Sequence, residues 1–429
     1  MKTRFVLFIM FLPVLGLAQT YTLSTLASFP PTVRKGPISP HNLIIDSSGN
    51  LYGSSTGGGK VNLGTVYEIT PAGVVTVLHS FGGTDGSFSG PALDPSPVNA
   101  SLSRDSKGNI YGTTPFGGTL DPTCPTEGCG TVFKMARSQS GTYTLSTLYS
   151  GSDGQYPTGV VLDPAGNLFG LSAFGGAANC GLACPPGGSL FEITTAGTFI
   201  DLHDFCDLDG EDGCNPTGTP TIDSAGNLYG ITFLGGFFHD PNESEDGGYG
   251  VVFSWSPISG SLGAIRTFTG ADCEQNDCDT GAPVGIPNGA EPLAKLTLDA
   301  HGNFYGTTAQ GGIGSVVRRV SGYGTVFMNA GILYEFCQQA NCTDGSNPSG
   351  KLILDSVGNI YGVAPNGGAN GYGVVFTISS AGVYRVIYNG GSAGVGDAVV
   401  MDKAGNLYGT TLAGGASHNG SIYKLTKKN

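Results

Sequence analysis

The stretch Cys206-Asp207-Leu208-Asp209-Gly210-Glu211-Asp212-Gly213-Cys214 carries the densest chemistry in the sequence. Hard cations such as calcium are held by several oxygen ligands, and a loop clamped by a disulfide would gather Asp207, Asp209 and Asp212 for that purpose. The loop lacks the full spacing and the distal Glu of an EF-hand. The alternative is a solvated acidic surface that keeps the protein soluble through charge. Segments Asp240 to Asp246 and Cys273 to Asp279 carry the same signal more weakly. Calcium is the only ion or cofactor the sequence suggests. The histidines His41, His79, His203, His239, His301 and His418 occur singly, and no pair has metal spacing. Neither a nucleophile elbow nor a phosphate-cradling glycine loop followed by a helix is present.

Ten cysteines form five near neighbours: Cys124 with Cys129, Cys180 with Cys184, Cys206 with Cys214, Cys273 with Cys278 and Cys337 with Cys342, each pair within one loop. In an exported chain this arrangement reads as local disulfides, each contributing about 2 kcal/mol. Structural zinc competes, but isolated pairs without matching histidines fit it poorly. Export is indicated at the start of the chain. Lys2 and Arg4 precede an apolar run from Phe5 to Leu17, and Gly16-Leu17-Ala18 offers small residues at a cleavage point, so residues 1–18 read as a signal peptide. The run is too short for a spanning helix, which needs roughly 20 residues. No later segment is apolar enough to span a bilayer.

Charge and composition exclude other classes. The chain has 73 glycines, 25 prolines and a net charge of −13. Between Asp204 and Glu291 stand fifteen acids and the single base Arg266. Nucleic acid is held with Lys and Arg, so this balance argues against it.

The elements that position these groups come from a repeat. Asp-x-x-Gly-Asn-(Leu/Ile/Phe)-(Tyr/Phe)-Gly begins at Asp46, Asp105, Asp163, Asp223, Asp299, Asp355 and Asp402, with core asparagines 47 to 76 residues apart. That is a propeller-blade period rather than a solenoid coil. In the second repeat Ala100 to Arg104 reads as a strand and Asp105 to Gly108 as a turn. Asn109 to Thr114, Gly130 to Met135 and Tyr143 to Tyr149 complete four antiparallel strands. The repeated Asp and Asn therefore read as turn chemistry. Mid-strand glycines such as Gly112 and Gly230 read as packing positions where sheets approach closely, with Tyr111 and Tyr229 filling the gap.

The last repeat stops after its third strand, Gly420 to Leu425, whereas Tyr21 to Leu26 is identical to Tyr143 to Leu148. The N-terminal strand is therefore expected to complete the last blade. The fold class is all-β, a seven-bladed propeller over residues 19–429 closed by that strand. The tight turns then share one face and every cysteine pair falls on the other, where long loops on a rigid scaffold are suited to binding. Aromatics near that face, Phe116, Phe174, Phe233, Phe237, Phe238 and Tyr249, either stack on sugar rings or pack loops onto their own blades.

The string Gly-Asn-Leu-Tyr-Gly-(Thr/Ser)-(Thr/Ser), followed by a Gly-Gly doublet and Gly-Thr-Val-(Phe/Tyr), resembles the GloVer tandem-repeat family of exported bacterial proteins over about residues 40 to 425. The resemblance implies a propeller and export, with no defined activity and no catalytic residue to carry over. Many members end in a sorting anchor, whereas this chain stops at Asn429 directly after its last strand. The expected function is a noncatalytic binding module, monomeric, that presents an acidic, disulfide-stapled face to an extracellular protein or glycan. The alternative is a polysaccharide-active enzyme with paired carboxylates at the mouth of the channel.

Overall fold

The computed structural model describes residues 20–29, 37–89, 101–122, 124, 126–176, 187–206, 211–236, 248–268, 289–312, 322–396, 399–411, 413–415 and 418–428. They form seven antiparallel sheets, the blades of a propeller. Blade 2 is representative, with strands Ser103–Arg104, Ile110–Thr114, Thr131–Arg137 and Tyr143–Tyr149 in order from the inside out. In blade 5 the inner strand is broken into Ala290–Pro292 and Thr297–Leu298, both paired with Phe304–Gln310. No helix among the described residues is long and apolar enough to cross a membrane.

The ring closes through the N-terminus. Tyr21–Ser28 pairs antiparallel with Ser421–Lys427, from Tyr21 opposite Lys427 to Ser28 opposite Ser421. The last blade thereby gains its outer strand, and an open sheet edge is removed.

The repeated turn is held by its aspartate. In blade 1, Asp46 accepts from the backbone N–H groups of Ser48 and Asn50, from the Asn50 amide at 3.1 Å and from the Tyr52 hydroxyl at 3.2 Å. Gly49 takes φ 83° at the left-handed position. Where described, the asparagine oxygen reaches outward, as when Asn109 accepts from the Arg137 N–H at 2.9 Å, so one side chain ties the first turn to the third strand.

Each mid-strand glycine faces an aromatic residue across the ladder: Gly112 opposite Phe133, Gly170 opposite Phe191, Gly230 opposite Phe253 and Gly409 opposite Tyr423 among them. A Cβ on Gly230 would run into Phe253 Cζ, and all seven glycines are similarly closed to a side chain. The ring over the glycine is thus the cross-strand Phe133 or Phe253. Tyr111 and Tyr229 send their hydroxyls to the turn aspartates, and Tyr229 packs against the layer between blades 4 and 5, the inter-blade place expected from the sequence. Tyr111 still packs between blades 2 and 3, with Val160, Leu168 and Phe191.

The core consists of seven layers between adjacent blades. The third-strand aromatic of one blade meets a phenylalanine at the end of the preceding outer strand, as in Phe81–Phe133, Phe205–Phe253, Phe268–Phe327 and Phe336–Phe376, with ring centroids 4.9 to 5.5 Å apart. Phe29 and Tyr67 make the same contact at the closure, at 5.3 Å. Near the axis, hydroxyls bridge neighbouring inner strands: Thr221 donates to the Leu296 carbonyl and Thr297 to the Leu352 carbonyl, both at 2.6 Å.

These contacts predict opposite outcomes for two glycines of blade 4. Gly230→Ala forces a methyl group into the Phe253 ring and is expected to lower the unfolding free energy in urea by about 2 kcal/mol, within the overpacking range. Gly263→Ala, on the outer strand with nothing within 4 Å of the new Cβ, is expected to leave it within about 0.5 kcal/mol of the parent. Equal effects at the two positions would refute the packing role.

Candidate functional site

Three places gather polar side chains: the turn face, the loop face and the bore. On the turn face the aspartates are occupied. Burial alone would raise their carboxyls, but the hydrogen bonds from asparagine, backbone and tyrosine outweigh it. Asp46, Asp105, Asp223, Asp299 and Asp402 accordingly sit below the ordinary carboxylate range. Such groups stay ionised and structural.

The loop face carries the cysteines. Cys124–Cys129, Cys206–Cys214 and Cys337–Cys342 are bonded, with Cα atoms 5.4, 4.7 and 4.0 Å apart. The other four cysteines of the expected set, Cys180, Cys184, Cys273 and Cys278, lie outside the described residues, so bonding is seen for three of the five expected pairs. Of the calcium candidates, Asp207 and Asp209 also lie outside the described residues, and Asp212 is placed. Its carboxylate pairs with His203 Nε2 at 2.7 Å and accepts from the Cys206 N–H at 3.3 Å.

That arrangement recurs in loops with no acidic cluster. His79 meets Asp85 at 2.8 Å, and Asp85 accepts from the Gly82 N–H. Tyr334 donates to Asp344 at 2.7 Å, and Asp344 accepts from the Gln338 N–H. Each partner follows a bulge in the outer strand, and each aspartate precedes a glycine packed on the next blade. The pair is a latch that fixes where the loop leaves the sheet. Sequence reasoning missed it, although the signal was present as a second repeat: Leu78-His79-Ser80-Phe81, Leu202-His203-Asp204-Phe205 and Leu333-Tyr334-Glu335-Phe336, each followed by Asp-Gly. At the same register in blade 4, Arg266 is buried. It lies over the rings of Phe268 and Phe327 at 4.8 and 4.6 Å, and burial lowers its guanidinium to about 10.

Other candidates disperse. Phe116 and Phe233 are buried, and Phe116 packs edge-on against Tyr156, which also meets Phe174. Tyr249 packs against the layer between blades 4 and 5. Phe237, Phe238 and His239 lie outside the described residues. His301 is exposed in its turn. One carboxyl pair does converge. On the outer strand of blade 3, where Asp201 is exposed, partial desolvation and then the hydrogen bond and charge of Asp204 raise its carboxyl to about 7.

The bore is a cavity of about 500 Å³ lined by inner strands of all seven blades. Strand alternation sorts the lining. Residues three before the repeat aspartate, such as Leu296 and Leu352, are buried apolar side chains, whereas residues four before it, including Asn42, Ser101, Lys295 and Lys351, bring polar groups to the cavity lining. Arg104 also lines it, 3.7 Å from Asp46 and over the Tyr52 ring. Among the described lining residues no carboxylate is found. The sequence expectation of acids at the channel mouth thus meets a basic wall in the described part of the bore.

The Gloeobacter/Verrucomicrobia repeat profile matches residues 15–183, 93–281 and 314–429. No curated protein sequence matches the chain. A streptogramin B lyase is similar in structure at a TM-score of 0.51 and 12% identity, over 95% of this chain and 98% of that one. The selenomethionine form of virginiamycin B lyase from Staphylococcus aureus gives 0.51 at 11% identity, over 95% and 99%. At such identities the likeness extends to the fold alone.

The Asp201–Asp204 pair carries a pH signature. An acid whose folded value is raised favours the native state when protonated, so its contribution fades as pH rises from about 4, the ordinary aspartate value, through about 7. Calorimetry is expected to show Asp201→Asn melting a few degrees above the parent at pH 8 and nearly level with it at pH 5. A difference independent of pH would remove the coupling.

Proposed function

The chain belongs to the Gloeobacter/Verrucomicrobia repeat family, and we propose that it is an exported binding propeller that offers its stapled, acidic loop face to an extracellular protein or glycan. Residues 1–18 serve as the leader in this view, and the cysteines pair after export, Cys180 with Cys184 and Cys273 with Cys278 included. The observation that carries the proposal is the preorganisation of one face: the bonded cysteine pairs and the His203–Asp212, His79–Asp85 and Tyr334–Asp344 latches all fix loops on the same side of the ring. A loop already held in shape loses less entropy when a partner docks. The acid-rich sequence between Asp204 and Glu291, assigned to that face in this view, would favour a basic or neutral, hydroxyl-rich partner.

Calcium enters through Asp207 and Asp209, since Asp212 already serves its latch. An ion there would shield neighbouring carboxylates and stiffen the loop, with an affinity of about 10⁻⁴ to 10⁻³ M as in other extracellular modules. A polysaccharide-active enzyme remains the second proposal because Asp201 is a carboxyl raised toward neutrality beside another, the pattern of a general acid.

Screening the mature chain on glycan and extracellular-protein arrays, with calcium and with chelator, separates these proposals. The binding module is expected to retain a ligand without altering it and to lose it when the disulfides are reduced. Calcium is expected to raise the melting midpoint, and Asp207→Asn with Asp209→Asn to abolish that increment with the fold intact. Polysaccharide cleavage that Asp201→Asn abolishes would replace binding with catalysis. An equal midpoint with millimolar calcium and with chelator would strike out the ion.

A further inference from the structure

Lys295, in the break of the blade-5 inner strand, and Lys351, just before the inner strand Ile353–Leu354 of blade 6, each stand four residues before their repeat aspartate, and both line the cavity. Neither ammonium has a hydrogen bond or an ion pair with any residue described, whereas Arg104, the other base on the wall, already has Asp46 beside it and Tyr52 beneath it. Glu291, four residues before Lys295, receives a hydrogen bond from the Gln310 amide at 2.6 Å and stands outside the lining. Two like charges thus share one cavity with no counter-charge among the described lining residues, and each raises the cost of keeping the other protonated.

We propose that the bore binds a compact oxyanion, a phosphate or carboxylate group, between the ammonium groups of Lys295 and Lys351. Two features favour an anion over a second use of the amines. The rest of the wall is aliphatic or weakly polar, with Ile44, Val161, Val400 and the hydroxyl of Ser101, so nothing there competes for the charge. Gly218 and Gly350, one residue before Thr219 and Lys351, add no side chain to the wall, so a volume of about 500 Å³ stays open to a small molecule. Lysine binds such groups as a point charge, which suits a compact oxyanion approached from two sides.

The amines themselves carry the linkage. Burial, and after it the charge of Lys351, lowers Lys295 to about 7, and burial lowers Lys351 as well. The anion binds the protonated amines, so affinity falls as pH rises through about 7. The charged groups that share the bore with Lys295 are Lys351 on the next blade and, from blade 2, Arg104 with its Asp46 partner, and no described lining acid offsets them. This site is separate from the loop face and stands whether or not that face binds a partner.

Calorimetric titration of inorganic phosphate and of succinate into the mature chain, at pH 6 and pH 8.5, tests the proposal. At least one anion is expected to saturate at pH 6 and to bind at least fivefold more weakly at pH 8.5. Phosphate alone or succinate alone would assign the group. The paired substitution Lys295→Gln with Lys351→Gln is expected to weaken binding at least tenfold, whereas Lys107→Gln on the turn face leaves it unchanged. Lys295→Met with Lys351→Met, which removes both charges but keeps the bulk, supplies the same comparison should the glutamine pair fold poorly. No saturable binding by the parent at pH 6, or equal affinity in the paired variants, overturns the proposal.

Discussion

The contact between a mid-strand glycine and the aromatic ring directly across from it, made once in every blade, is what the rest of the ring depends on. With no Cβ on Gly230, the Phe253 side chain lies over the backbone and reaches Phe205 of the preceding blade. A β-sheet twists of its own accord, and a ring needs every sheet to meet its neighbours in the same way. The glycine–aromatic–phenylalanine stack sets that meeting at five interfaces. Gly151 and Gly390 stand where the other outer strands hold phenylalanine, and there tyrosines take over: Tyr149 stacks on Phe199 and Tyr388 meets Tyr423.

The loop face follows from the same geometry. An outer strand running straight from Phe199 would keep its alternation and could not return Phe205 to the core in the observed register. The extra residue at Leu202 resets that alternation, as Leu78 and Leu333 do in their own blades. The residue after the bulge then projects toward the departing loop, and His203, His79 or Tyr334 finds an aspartate there. Asp212 therefore has a structural reason to exist apart from any ion.

The ring itself was legible in the sequence because a period of Asp-x-x-Gly-Asn turns constrains strand count, strand order and the missing outer strand at once. Even the closure could be read, since Tyr21 to Leu26 duplicates Tyr143 to Leu148. Side-chain partners were less legible. Tyr111 and Phe133 are both aromatic and both near Gly112 in the ladder, and only the cross-strand register decides which one covers it. The latch escaped because its two members are separated by a loop of variable length, six residues from His79 to Asp85 but ten from Tyr334 to Asp344. No fixed spacing marks it.

The bore shows why counting charge along a chain misleads for a fold of this kind. Lys295 and Lys351 stand 56 residues apart among acids, glycines and aromatics, and a net charge of −13 directs attention away from them. In a propeller, however, one repeat along the chain is one step around the axis, so equal register in successive repeats becomes proximity around the channel. Aligning the positions four before the first six repeat aspartates yields Asn42, Ser101, Gly159, Thr219, Lys295 and Lys351 as one ring of positions around the axis. The next position along the chain holds Leu43, Leu102, Val160, Leu296, Leu352 and Val399, all buried and apolar, so the charge sits in the first ring alone. The bore and the stapled loop face are therefore different places in one molecule, and a ligand that meets the one need not meet the other.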